Sequence, residues 1–238
     1  MRGVKMKLIS IGCSFLYGYY KRGEGCNKDY SAGYHLSNMM ERDWLNESDC
    51  GIGNDLICER LITSHQSNKI NPKDTFVLIG WTEAFRKKVF VNDKVYIDFR
   101  PPLTLSDKGL YDIKDESLYS EYFMNSNQIY YDFLKNILTS YYLLENYGYK
   151  YFMFDSINTM HDGSHNLLDD YTIGKEWIPE EFVDVKNKIK NYSKLNYFNY
   201  LKELEKNNDF PYCSKEDLHP NQYGAKSFAK KLYKEINK

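Results

Sequence analysis

Short apolar runs alternate with longer stretches of helical periodicity along most of this chain. The runs at 7–12, 75–80 and 149–154 predict buried strands, and a shorter strand is predicted near 44–50. Because parallel strands need long crossover connections, strands that alternate with helices are typical of a parallel sheet covered by helices. The pattern therefore predicts the α/β class, and 238 residues are a suitable length for one domain over 1–238.

Helices are predicted where apolar residues recur at spacings of three and four. The predicted helices are 31–42 with Ser31 as its N-cap, one opening at Gly53 and Asn54, 118–147 ended by Gly148, 182–201, and a last one after Pro220. Around 89–97 the apolar residues instead alternate on both sides of the turn-forming pair Asn92 and Asp93, which predicts a β-hairpin. Since this hairpin interrupts the alternation of strands and helices, we interpret it as an insertion.

Charge and composition exclude several classes of protein. The 32 Lys and Arg residues balance 33 Asp and Glu residues, for a formal net charge of -1, so no basic surface for nucleic acid is predicted. The apolar run 8–12 is too short for a signal peptide or a membrane span, which favours a cytoplasmic protein with no membrane partner. The cysteines number five and contain no C-x-x-C pair, so we expect free thiols in a reducing compartment.

A serine directly follows the first predicted strand, within the segment Gly12-Cys13-Ser14-Phe15-Leu16-Tyr17-Gly18. Glycines on both sides permit a tight turn from strand to helix, and such a turn would expose the Ser14 hydroxyl. Ligands of open α/β sheets bind beyond the carboxyl ends of the strands, so a nucleophile is expected at this position. By itself, however, the pattern marks a capping turn more often than an active site.

The segment Asp217-Leu218-His219-Pro220 precedes the last predicted helix. A serine hydroxyl is a poor nucleophile until an imidazole accepts its proton, and a carboxylate must hold that imidazole in the right tautomer. We therefore predict Ser14 as nucleophile, His219 as base and Asp217 as acid. A lone histidine is more often a surface or capping residue, but the nearby acid and the helix that starts after Pro220 favour a site.

Four segments together resemble the sequence blocks of the SGNH (GDSL-like) hydrolases. The first block corresponds to Gly12-x-Ser14-Phe15-x-x-Gly18 and the last to Asp217-x-His219-Pro220. Between them, the glycine block corresponds to Cys50-Gly51-Ile52-Gly53-Asn54, and the Gly-x-Asn-Asp block to Gly80-Trp81-Thr82-Glu83. The four segments follow one another in the family's order, each after a predicted strand.

This resemblance implies a three-layer α/β/α, flavodoxin-like fold and a serine esterase or deacylase that needs no cofactor and no metal. It also implies an oxyanion site formed by the amides of Ser14 and Gly51 and by residue 82. The family has asparagine at that last position, whereas this chain has Thr82, and loss of one oxyanion donor costs on the order of 100- to 1000-fold in rate. The commonest family spacing points to Glu216 as the acid; we favour Asp217, and the choice stays open.

Aromatic residues are predicted at the rim of the site, with Tyr17 and Trp81 as substrate contacts, although a core or lid role fits these rings equally well. Aromatic faces stack on sugar rings, so a carbohydrate ester, such as an O-acetyl ester, is the predicted substrate class. His161, Asp162 and His165 could suggest a metal site, but a loop lacks the fixed scaffold of metal ligands, and we favour a polar loop beside the cleft.

The sequence leaves two kinds of function open. The first is ester hydrolysis by Ser14, His219 and Asp217, with acyl transfer to a sugar as a variant of the same chemistry. The second is a binding or structural protein of the same fold in which Thr82 marks weakened catalysis. The segment that begins Gly80-Trp81-Thr82-Glu83, the third of the four blocks in chain order, also resembles a phage-associated subgroup of the family. This resemblance would imply a host-interaction role and a virion-associated location. The expected partner is a small-molecule or carbohydrate ester, and no pattern indicates an oligomeric state.

Overall fold

Five parallel strands form the central sheet of the protein. The structure is a computed structural model that describes residues 6–19, 25–84, 86–92, 95–99, 126–157, 185–215 and 217–238. The strands in chain order are β1 (Lys7–Gly12), β2 (Asp43–Asn46), β3 (Thr75–Trp81), β4 (Lys87–Asn92), β5 (Val95–Phe99), β6 (Lys150–Asp155) and β7 (Tyr192–Asn196). The sheet has the order β2-β1-β3-β6-β7, while β4 and β5 form a separate antiparallel pair.

Helices cover both faces of this sheet. They are α1 (Ser14–Tyr17), α2 (Ala32–Met39), α3 (Asn54–Gln66), α4 (Ser126–Tyr147), α5 (Val185–Lys188), α6 (Tyr197–Lys206) and α7 (Gln222–Ile236), with a short 3-10 helix at Lys28–Tyr30. Because side chains alternate along a strand, Ile9 and Val77 pack with α3 and α4 on one face, whereas Leu8 and Leu78 pack with α1, α2, α6 and α7 on the other. The predicted three-layer α/β/α architecture is therefore confirmed.

Most of the predicted elements are present with small changes in their bounds. The first strand, the start of the helix at Asn54, the hairpin and the last helix are confirmed. The helix predicted over 31–42 is capped by the Ser31 hydroxyl as expected but ends at Met39, and the strand predicted near 44–50 spans only Asp43–Asn46. The long helix predicted from residue 118 is described from Ser126 onward. Among the described residues, no helix combines the length and the apolar character needed to cross a bilayer.

The single helix predicted over 182–201 is wrong. In its place the structure has the short helix α5, the strand β7 and the start of α6. Strand β7 buries only Ser193 among its five side chains, so the sequence carries no alternation of apolar residues that would identify a strand. Its extended conformation is explained by pairing with β6, where Met153 is opposite Tyr192, and this tertiary contact overrides the helical spacing.

The carboxyl ends of β1 and β3 lie side by side, and this places the predicted site. Gly12 is in register with Gly80, and a Cβ added to Gly12 would lie 2.8 Å from the Gly80 carbonyl oxygen. The absence of side chains thus lets the two strands approach closely where both end. Ser14 and Thr82 each follow two residues after this glycine pair, at neighbouring ends of the sheet.

Candidate active site

Ser14 is the first residue of α1, in the tight turn that leaves β1. Cys13 precedes it as the N-cap residue, and Gly18 ends the helix in the left-handed conformation with φ 84°. Glycine adopts this conformation without the steric cost that a Cβ would add, which explains the glycine at this position. No side chain caps the first turn of α1, whose Leu16 and Tyr17 amides donate to the Cys13 carbonyl at 3.0 Å.

The structure brings His219 and Asp217 to Ser14 across 205 residues of sequence. The Ser14 Oγ is 2.9 Å from His219 Nε2, and His219 Nδ1 is 2.6 Å from Asp217 Oδ1. With the ring proton on Nδ1, the imidazole donates to the carboxylate and its Nε2 accepts from the serine hydroxyl. This is the connection that activates a serine nucleophile. Glu216, the alternative acid, lies outside the described residues.

Backbone pairing holds the loop that carries His219. The amide of Cys213 donates to the His219 carbonyl at 2.9 Å, and Tyr212 pairs with Pro220 in an isolated antiparallel bridge. The Asn221 side chain donates to the carbonyls of Phe210 and Tyr212 and also accepts from the Gly224 amide as the N-cap of α7. The loop is therefore fixed at both ends, and the imidazole is presented from a defined backbone.

Two aromatic rings contact the imidazole of His219. The ring centroid of Tyr19 is 4.1 Å from that of the imidazole, and the ring centroid of Phe15 is 5.6 Å from it. Phe15 is 5% exposed and makes an edge contact with Tyr197 in the core. One wall of the site is therefore aromatic, and the Ser14 to His219 contact lies beside it.

The groups predicted to bind an oxyanion lie at the same edge of the sheet. The Asp49 amide donates to the Gly12 carbonyl at 3.0 Å, which brings the segment that contains Gly51 next to Ser14. Gly51 adopts φ 81°, a left-handed conformation that favours glycine. Thr82 is 0% exposed, and its hydroxyl is buried without a hydrogen-bond partner. A buried hydroxyl that lacks a partner is unusual and calls for an explanation.

Asn54 is a buried polar residue for which the sequence analysis predicted no role. Its Oδ1 accepts from the Thr82 amide at 3.0 Å, and its Nδ2 donates to the carbonyls of Thr82 and Glu83 at 3.2 and 3.0 Å. The first residue of α3 thereby fixes the backbone that follows β3. The sequence did indicate that Asn54 is buried. It precedes Ile57 by three residues and Leu61 by seven, a spacing that places all three on the same, buried face of the helix.

The two predicted substrate contacts differ in their positions. Tyr17 is partly exposed at the end of α1, and its pKa is raised by burial and then by the neighbouring Cys26 and Asp49. It is therefore a neutral phenol that can donate a hydrogen bond. Trp81, in contrast, is 0% exposed and packs edge-on against Phe133, so its ring lies in the core and not at the rim. The prediction for Trp81 is corrected: alternation along β3 turns the ring toward α4.

The described cysteines are all free thiols, and Cys13 and Cys58 are buried. Cys13 is 0% exposed and packs in the core beside α1, whereas the Ser14 hydroxyl contacts His219. Burial, together with the charge of Asp217, raises the pKa of Cys213 to about 11, so this thiol near His219 is un-ionised at neutral pH. The polar residues His161, Asp162 and His165 lie outside the described residues.

The sheet order, the helical layers and the edge that carries Ser14 define the SGNH/GDSL-like hydrolase fold. A G-D-S-L family protein from Desulfitobacterium hafniense DCB-2 is similar over 96% of this chain and 98% of its own, at 15% identity and TM-score 0.52. The psychrotrophic esterase EstA from Pseudoalteromonas sp. is similar over 97% and 96%, at 12% identity and TM-score 0.52. A carbohydrate esterase is similar over 98% of this chain and 68% of its own, at 12% identity and TM-score 0.52.

At the level of sequence, no family profile and no curated protein matches the chain. Identities of 12 to 15% show a shared fold and leave the chemistry to be argued from the residues themselves.

Proposed function

We propose that the protein is a serine ester hydrolase with Ser14 as nucleophile. The observation that carries the proposal is the hydrogen-bonded chain from Ser14 Oγ through the His219 imidazole to Asp217 Oδ1. Ser14 attacks the acyl carbon while its proton passes to His219 Nε2, and the Asp217 carboxylate stabilises the imidazolium. The imidazolium then protonates the departing alcohol. A water molecule, activated by the same imidazole, finally releases the acid from the acyl-serine.

In this proposal the developing oxyanion is bound by the amides of Ser14 and Gly51 and by the Thr82 hydroxyl. The uncapped first turn of α1 and the left-handed backbone at Gly51 support the two amides as donors. Thr82 is the third donor in the proposal because it stands at the position of the family's asparagine. Its hydroxyl has no partner in the free protein but is buried, so the proposal requires the acyl oxygen to reach it when substrate binds.

The substrate that we propose is an acyl ester of a carbohydrate, with an O-acetyl ester as the simplest case. The aromatic wall formed by Tyr19 and the neutral phenol of Tyr17 support a sugar ring near the site. One structure with this fold is a carbohydrate esterase. The free thiols fit a reducing compartment, so a cytoplasmic location forms part of the proposal.

A fluorophosphonate probe tests the mechanism, because it forms a stable bond only with an activated serine. We expect labelling of the wild type, and no labelling of Ser14→Ala or His219→Ala. Ser37→Ala is the matched control, since Ser37 is equally buried but lies in α2 and bonds the Tyr34 carbonyl. Labelling of Ser14→Ala at the wild-type rate, or no labelling of the wild type at all, would contradict the proposal.

A second candidate is a sugar-binding protein that has lost most of its catalysis. It is favoured by Thr82, which is 0% exposed in the position where the family has a donating asparagine. The carbohydrate esterase with this fold has an active site described as showing both catalytic and non-catalytic binding functions. A binding role in phage and host interaction, as the third sequence block suggests, belongs to this candidate.

The variant Thr82→Val tests the third oxyanion donor, and turnover of an ester by the wild type separates the two candidates. An oxyanion donor that is unpartnered in the free protein costs stability and contributes only in the transition state. We therefore expect Thr82→Val to raise the melting temperature and to lower kcat on an acetyl ester by on the order of 100-fold. A more stable variant with unchanged kcat would show that Thr82 is not a donor. Glycan binding without any ester turnover would support the second candidate.

A further inference from the structure

The imidazole of His219 lies against the Tyr19 ring at a distance at which a positive charge would interact with it. The two ring centroids are 4.1 Å apart, and the ring planes are inclined by 35°. Phe15 adds a second ring, with its centroid 5.6 Å from the imidazole. A cation within about 6 Å of an aromatic centroid is attracted by the negative face of the ring. Both rings therefore lie within this range.

Tyr19 is held in this position by its own segment of chain. It forms an antiparallel bridge with Cys26, whose thiol is 2.8 Å from the Tyr17 carbonyl oxygen. The Asn27 amide donates to the Gly18 carbonyl at 2.8 Å, which closes the same segment on the end of α1. The Tyr19 ring thus comes from a different element from the loop of His219, and the two meet only in the folded protein.

Asp217 is the charged group in contact with the imidazole: at 2.6 Å from Nδ1 it favours the imidazolium, whereas Lys215 in the same loop is exposed. Cys213 is neutral near pH 7, because its pKa is raised to about 11, and Tyr17 on α1 also remains neutral because its pKa is raised. The contact that Tyr19 adds to these groups is the face of its ring, with centroids 4.1 Å apart.

We propose that Tyr19 is a positioning residue that stabilises the imidazolium formed on His219 when Ser14 gives up its proton. The inference rests on the proposed function in that the imidazolium is an intermediate of that reaction. A neutral imidazole gains little from the face of the ring, whereas the cation gains more, so the contact favours the charged state over the ground state. The ring also restricts rotation of the imidazole away from Ser14.

The test measures the protonation of His219 directly by NMR, following its imidazole Cε1–H resonance with pH. The resonance is assigned by its loss in His219→Ala. We expect Tyr19→Phe, which keeps the ring, to titrate as the wild type does. Tyr19→Leu and Tyr19→Met remove the ring but stay apolar, and we expect His219 to titrate at a pH lower by about 0.5 in both. The acid limb of kcat/KM should move in the same direction.

Tyr223→Leu is the control for loss of an exposed tyrosine, since Tyr223 lies on α7 and bonds Asp209. It should leave the titration of His219 unchanged. The proposal is overturned if both Tyr19→Leu and Tyr19→Met titrate as the wild type, or if Tyr19→Phe moves as far as they do. The NMR titration does not require turnover. If the wild type fails to react with fluorophosphonate, the proposed function is contradicted, but the effect of Tyr19 on the titration of His219 can still be measured.

Discussion

At the scale of single residues, the site depends on how firmly one imidazole is held. His219 is bonded to Asp217 through Nδ1, to Ser14 through Nε2 and to the Cys213 amide through its backbone carbonyl. The Asp217 side chain is 31% exposed, and its carboxylate is held by the His219 amide, which donates to Oδ1 at 3.1 Å. The Ser214 hydroxyl accepts from the Asp217 amide at 3.0 Å and so fixes the backbone of the same residue.

The first prediction concerns the acid. We expect Asp217→Asn to lower kcat by at least about 100-fold, because an amide no longer holds the reactive tautomer or stabilises the imidazolium. Glu216→Gln, one position away, should change kcat by less than twofold. Steady-state hydrolysis of an acetyl ester by the two variants measures the difference. If Glu216→Gln shows the larger loss, the acid is Glu216.

At the scale of elements, asparagine side chains join the segments that form the site. Asn54 at the start of α3 fixes the backbone after β3, and Asn221 at the start of α7 fixes the segment that holds His219. In each residue the side-chain oxygen accepts a hydrogen bond and the side-chain NH2 group donates one. Asparagine is the side chain of this length that carries both an amide oxygen and an amide NH2. These residues bond to backbone, and they thereby help determine where the reacting groups lie.

The second prediction compares two N-caps. Asn221→Ala and Asn196→Ala each remove a cap, of α7 and of α6; we expect Asn196→Ala to lower the free energy of unfolding by about 1 kcal/mol and Asn221→Ala to lower it by more. Only Asn221 also bonds the carbonyls of Phe210 and Tyr212, so only Asn221→Ala should lower kcat, and by several-fold. Urea unfolding and steady-state kinetics measure the two effects. An equal loss of kcat in Asn196→Ala would contradict this assignment.

At the scale of the whole molecule, tyrosine is used as a core residue. Tyr197 and Tyr212 are 0% and 2% exposed, and Tyr197 stacks on Phe228 with centroids 3.8 Å apart. Burial raises the pKa of Tyr197 well above its ordinary value, and burial together with Glu205 raises the pKa of Tyr212 to about 12. The folded protein therefore favours the protonated phenols, and its stability is expected to decrease at alkaline pH.

The third prediction follows from the direction of these shifts. Above about pH 10 the unfolded chain loses its tyrosine protons while the folded protein retains them, so stability falls as pH rises. For Tyr212 this loss should amount to at most about 1.4 kcal/mol per pH unit between about pH 10 and 12. Tyr212→Phe should show a shallower decline, measured by urea unfolding at a series of pH values. A wild-type stability that is constant to pH 12 would contradict the prediction.

Local patterns were enough to predict much of the fold. A buried strand followed by glycine identified β1 and β3, and the helix starts at Asn54 and after Pro220 followed from caps and spacing. The same patterns failed for β7, which has one buried side chain and owes its conformation to β6. They also failed for Trp81. Its position just before Thr82, at the end of a strand, suggested that its ring lies at the rim of the site, whereas the alternation of side chains along β3 places the ring in the core.

The sequence by itself determined the class of fold, the order of the elements up to β6 and the residue types available at the strand ends, because these depend on near neighbours in the chain. Only the tertiary structure decided that Ser14 meets His219 at 2.9 Å, that Tyr19 covers the imidazole and that Asn54 holds the backbone of Thr82. These contacts join segments far apart in sequence. Their geometry is set by the packing of helices on the sheet, which no local pattern encodes.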